Sequence, residues 1–213
     1  MPITATGLLN GTATPKFPAG AAGKLDVVTV GPLDRGTGGE AVLPIAIRNN
    51  TNAAVSHIDI NGSARNPAGK LVANGNSQGT TPATLIPGQV ALAFIYFEMG
   101  GNTPPANAKY AFTAQGTAPG TESFDSADLK VTEAERSGQR LVGTAKNTNS
   151  KALEGPYSVQ AYCFSPSDKL LSEHGTYAEP DGPLAPGGSV SFSIDLYDQA
   201  CPRFLVGSTA YFK

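Results

Sequence analysis

Apolar and polar residues alternate over short runs along this chain, the two-residue period of strands with one buried face. Val190, Phe192, Ile194 and Leu196 take every second position of one run, and Val90, Leu92, Phe94 and Tyr96 of another. The first set reads as a core-facing row with the residues between it facing out. Gly, Pro and Asn clusters interrupt the runs about every 10 residues, the spacing of turns in an all-β domain. No long stripe of helical period intervenes. The pattern predicts many short strands joined by tight turns, arranged as β-sandwiches and not as a barrel or an α/β fold.

Four landmarks recur in the same order in both halves. An alternating run enters an Asn turn at Ile45-Ala46-Ile47-Arg48-Asn49-Asn50 and again at Gly143-Thr144-Ala145-Lys146-Asn147, with Arg48 and Lys146 standing 98 positions apart. A strand and turn around Ile58–Leu71 pairs with Val159–Leu170, and Lys70 matches Lys169 at 99. Leu85-Ile86-Pro87-Gly88 matches Leu184-Ala185-Pro186-Gly187, again at 99, and the alternating strands that follow align at 100. Four landmarks in register point to an internal duplication. The expected organisation is a flexible N-terminal tether over residues 1–24, a β-sandwich over 25–114, a linker over 115–128 and a second β-sandwich over 129–213. Each unit has the size of an immunoglobulin-type domain. The chain has no Trp and its first unit has no Cys, so the Cys…Trp…Cys core of antibody domains is missing.

Composition narrows the function classes. A 40% hydrophobic fraction supports packed cores, while 25 Gly, 17 Pro and only 15% charged residues suit turns better than amphipathic helices. The net charge of -2, with Lys and Arg scattered singly, argues against nucleic acid, whose affinity comes from clustered cations. No apolar run reaches the roughly 18 residues of a membrane span. Two locations remain, cytosol or export with the leader already removed, and the small, Pro/Gly-rich opening favours export and a lipid tether lost with the leader.

Cys163 and Cys201 stand 38 positions apart, with no second Cys or His beside either. That spacing disfavours a zinc site. A Cys163–Cys201 disulfide is the favoured reading and a buried Cys163 with a free Cys201 the alternative. The disulfide strengthens the case for an extracytoplasmic, oxidising compartment.

The strand into an Asn turn, the hairpin ending in Lys169, the LxPG turn and Phe192-Ser193-Ile194-Asp195-Leu196-Tyr197-Asp198 together resemble the FxLYD family of small extracytoplasmic β-sandwich domains. The likeness covers 129–213 and extends more loosely over 25–113, where Tyr96-Phe97-Glu98 replaces Leu-Tyr-Asp. It implies a secreted protein or lipoprotein of the bacterial envelope, and no active-site residues.

No constellation for catalysis is found. His57 and His174 are isolated and are expected as surface or strand-edge groups. Gly36–Gly39 lacks the Lys of a phosphate cradle, and Glu122, Asp125 and Asp128 read as a solvated acidic linker sooner than a calcium site. No enzyme activity, cofactor or metal is expected. Tyr157, Tyr162, Tyr177, Tyr197 and Tyr211 concentrate in the second unit, and the first four mark the candidate contact surface. The expected role is a non-catalytic binding or spacer module with a protein or other envelope component as partner. The alternative is a small-ligand or metal carrier using the cleft between units.

Overall fold

A computed structural model describes residues 2–35, 41–97 and 103–213. Gly36–Gly39 and Glu98, singled out above, lie outside the described residues. Strands account for all the regular structure described. They are β1 (Asn10–Gly11), β2 (Leu25–Val30), β3 (Asp34–Arg35), β4 (Ala41–Asn49), β5 (Ser56–Arg65), β6 (Leu71–Ser77), β7 (Val90–Phe97), β8 (Lys109–Thr117), β9 (Ser126–Ser137), β10 (Arg140–Lys146), β11 (Leu153–Phe164), β12 (Leu170–Tyr177), β13 (Ser189–Asp195) and β14 (Arg203–Phe212). The chain is all-β, with two seven-stranded sheets, each folded into a β-sandwich. No helix among the described residues is long and apolar enough to cross a membrane.

The first sheet runs β2-β4-β7-β6-β5-β8, with β3 added to β4; the second runs β12-β11-β14-β9-β10-β13, with β1 added to β14. The same contacts recur in both. Asn49 and Asn147 are fully buried. The Asn49 amide donates to Ala53 O and Leu85 O, and the Asn147 amide to Lys151 O and Leu184 O. Each side-chain oxygen accepts the N–H two residues on, from Thr51 and Asn149. Gly88 and Gly187 sit at φ 80° and 81°, a region that only glycine enters freely, and donate to Asn49 O and Asn147 O.

Ladder registers revise one alignment. Ala91 pairs with Ile47 on β4, and Val190 pairs with Ala145 on β10, so the final strands match at 99 and not at 100. Ala91, Ala93, Ile95 and Phe97 face the first core, while Val90 and Leu92 face away from it. Both faces of β7 are buried, so alternation carried no information about its register. The corresponding strand β13 is half-exposed, and there Val190, Phe192 and Ile194 do line the core. Strand β13 ends at Asp195, so Leu196-Tyr197-Asp198 forms a turn in which Tyr197 N–H donates to Asp195 Oδ1.

Val90 and Leu92 face a third core that the two sandwiches share with the N-terminal segment. It joins Ala46, Val90 and Leu92 of the first unit to Tyr162, Phe164, Leu170 and Leu205 of the second, with Ile3, Leu9 and Ala13 packed between. In place of the flexible tether expected over 1–24, residues 2–24 form a strap. Asn10 and Gly11 pair with Val206 and Leu205. Arg203 donates to Thr12 O and pairs with Asp168 at 2.7 Å, fixing the strap to the second unit. Arg48 donates to Phe17 O and Pro18 O, fixing it to the first. Small residues spaced by Ile3, Leu9, Ala13 and Phe17 lie flat in the seam, which composition alone did not reveal. The expected linker is shorter than 115–128, because β8 runs to Thr117 and β9 begins at Ser126.

Candidate binding cleft between the two sandwiches

One sheet face of the second unit builds most of the cleft. Along β14, Phe204, Val206, Ala210 and Phe212 enter the second core. The strand period therefore turns Leu205, Gly207, Thr209 and Tyr211 to the opposite face. On β11, Val159, Ala161 and Cys163 point inward and Ser158, Gln160, Tyr162 and Phe164 outward. The apolar half of this outer face, at Leu205, Tyr162 and Phe164, is covered by the first unit. Its polar half stays open and floors a cleft of about 410 Å³. Ser158 lies opposite both Tyr177 on β12 and Thr209 on β14, so the two flanking strands stand two strand spacings, about 10 Å, apart.

The first unit supplies the facing wall from Asp59, Phe94 and the Gln78–Thr81 turn. Irregular pairing of β5 with β8 between Ser56 and Asp59 bulges the strand at His57, which takes φ 47°. Bulges of this kind re-aim a side chain. The imidazole Nε2 stands 3.3 Å from Asp125 Oδ1, tying the first unit to the connector at the cleft rim. Thr81 packs closely on the second unit: a Cβ added to Gly207 would lie 2.1 Å from Thr81 Cγ2, so only glycine fits beneath it. Tyr162 lines the cleft beside Thr81, and burial raises the pKa of its hydroxyl well above the ordinary range. Gln160 donates from Nε2 to Ser158 Oγ at 3.3 Å, while its buried Oε1 meets no protein donor.

Two carboxyls are held at the junction with raised pKa values. Asp128 accepts from Ala83 N at 2.6 Å and Thr84 N at 3.2 Å. Burial still outweighs these two donors and pushes its carboxyl up to about 6. Glu173, opposite Tyr162 across the β11–β12 ladder, is pushed up to about 8 by burial.

The sequence-derived candidates fall in different places. Cys163 and Cys201 form a disulfide, both buried, with Cα atoms 4.9 Å apart. Tyr157 and Tyr162, each 1% exposed, are removed from any contact surface. The hydroxyl of Tyr157 donates to Gly182 O, and Tyr162 floors the junction. Both are large rings on a strand packed from two sides. Tyr177 is 68% exposed and lines the cleft, as does Tyr211; Tyr197 is 75% exposed in its turn and does not. His57 sits at the bulge, whereas His174 is buried, hydrogen-bonded to Ser172 Oγ, its pKa lowered by burial. Asp125 and Asp128 do not form an acidic pair, since one holds His57 and the other the Ala83–Thr84 backbone. Among the described residues no cluster of three His, Cys, Asp or Glu side chains is placed to hold a metal ion.

Sequence reasoning missed Gln160, the His57–Asp125 pair and the Thr81–Gly207 contact. The alternation of β11 could have placed Gln160 on an outer face. Nothing in the chain order brings Thr81 to Gly207. No protein-family model matches this chain, and no curated protein matches it in sequence.

Proposed function

We propose that the protein is a non-catalytic binding or spacer module of the bacterial cell envelope, built from a duplicated sandwich and held outside the cytoplasm. The observation that carries the location is the buried Cys163–Cys201 disulfide, because such bonds persist in oxidising compartments. The resemblance of 129–213 to FxLYD domains supports the same location, and the recurring Asn49 and Asn147 hydrogen bonds support the duplication. The strap and the third core make the two sandwiches one block, which suits a module that presents a fixed surface.

Cell fractionation with thiol trapping tests the reading. The expected result is envelope or secreted protein whose Cys163 and Cys201 peptides remain linked. Cytoplasmic protein with both thiols alkylated would overturn it. The cleft favours a second reading, a carrier of a small ligand between the units.

A further inference from the structure

We infer that the cleft binds a neutral, polyhydroxylated ligand, a segment of one or two sugar units of a glycan; this rests on the reading of the protein as a binding module. A cavity of about 410 Å³ falls within the range of small-ligand sites. Its chemistry narrows the class. Thr80, Thr81, Ser126, Ser158 and Thr209 line it with hydroxyls that both donate and accept, and Gln78 and Gln160 add amides. Among the described residues no Lys or Arg lines it, Asp59 is its one carboxylate and its one histidine, His57, is already paired with Asp125, so phosphate and other anions find little counter-charge. A lining this rich in hydroxyls and amides would leave polar groups unpaired against a lipid tail.

Two further features point to a sugar. Tyr177, opposite Ser158 on β12, and Tyr211, two residues beyond Thr209 on β14, expose large rings at the mouth on one sheet face. Rings of this kind give an apolar platform with a polar tip, the surface that a pyranose meets with its C–H face and its hydroxyls. The amide of Gln160, packed against Gly175 on the cleft floor, holds a buried Oε1 without a protein donor, a polar floor that an apolar ligand would not match. The His57 bulge, held by Asp125, fixes one rim of the opening.

Saturation-transfer NMR and calorimetry on the full chain test the inference, with maltose, cellobiose and N,N′-diacetylchitobiose as neutral probes. Inositol hexakisphosphate serves as the anionic probe and dodecanoate as the apolar one. At least one disaccharide is expected to bind saturably with Kd of about 1 mM or below, a weak but specific affinity. Tyr177→Ala and Tyr211→Ala, at exposed positions, are expected to weaken it at least about tenfold, or about 1.4 kcal/mol. Tyr197→Ala, outside the cleft, should leave it unchanged. Absence of binding by all three sugars, preference for either control ligand, or equal affinity in the Tyr177 and Tyr211 variants would each overturn the inference. An exported, disulfide-bonded protein that ignores the sugars sinks this inference alone, whereas a sugar-binding protein with free cytoplasmic thiols sinks only the envelope reading.

Discussion

The two sandwiches share a hydrogen-bonded frame and close it by different means. In the second, Ser126–Leu129 of β9 pairs with β14 before the same strand continues along β10, so one strand stitches the two layers together. A disulfide adds a second stitch between β11 and the segment before β14. In the first, β7 is the strand that joins the layers, pairing along β4 and then with β6 at Asn76–Tyr96 and Ser77–Ile95, but no disulfide is added, and Ala64 holds the hairpin position that Cys163 holds in the second. The first unit compensates with cover from outside, burying Ala46, Val90 and Leu92 under its neighbour and the strap. One frame can therefore be stabilised internally or by its surroundings, and the two kinds of stability should respond differently to substitution.

The largest expected effect separates the units most sharply. Replacing Cys163 and Cys201 together with Ala should cost the second unit about 3–4 kcal/mol, from the loop entropy restored to the unfolded chain. Calorimetry should show Tm falling by about 10 °C. Hydrogen exchange should quicken in β11 and β14 more than in β4 and β5. A uniform loss across both units would mean that the block has no internal seam.

A somewhat smaller effect should be equal in the two halves. Asn49→Ala and Asn147→Ala each strip a buried amide from two carbonyls and a side-chain acceptor from one N–H. Each should cost about 2–3 kcal/mol in denaturant unfolding. Costs differing by more than about twofold would break the equivalence of the frames.

The smallest effect concerns pH. Glu173 is raised in the folded state from an ordinary 4.5 to about 8, so the folded protein binds the extra proton. Its contribution to stability is full below 4.5 and is lost as pH rises through 8. Asp128 behaves alike between 3.8 and about 6. Buried His174, with a lowered pKa, acts in the opposite sense and loses stability on acidification below its ordinary 6.5. The difference in Tm between Glu173→Gln and the parent protein cancels the His174 contribution. Relative to the parent, the variant should gain stability from pH 5 to pH 8. A constant difference would place Glu173 in solvent.

Much of the frame could be read along the chain because it rests on local chemistry. The LxPG turns, the buried Asn and the hairpin closing at Lys70 and Lys169 need particular residues at particular offsets. The pairing of Cys163 with Cys201 followed from there being only two cysteines, one in a strand and one beside the next. What could not be read was contact between distant surfaces. Val90 and Leu92 alternate as Val190 and Phe192 do, yet their partners lie in the other unit. Tyr157 and Tyr162 looked like candidate contacts because aromatic residues serve both surface and core, and only packing separates the two uses. Residues 1–24 look like a tether by composition, and Arg48 and Arg203 give no local sign that they grip it.

The strap also sets an order of events during synthesis. Asn10 finds its ladder partner at Val206, 196 positions later, so it cannot dock until both sandwiches have been made. The first sandwich can assemble from local contacts well before that, while its Val90–Leu92 face waits uncovered. A newly made chain therefore passes through an interval with one finished sandwich and one sticky face, the exposed apolar surface on which chaperones act and aggregation begins. Closing that interval is the last act of folding, and it is performed by residues made before either sandwich.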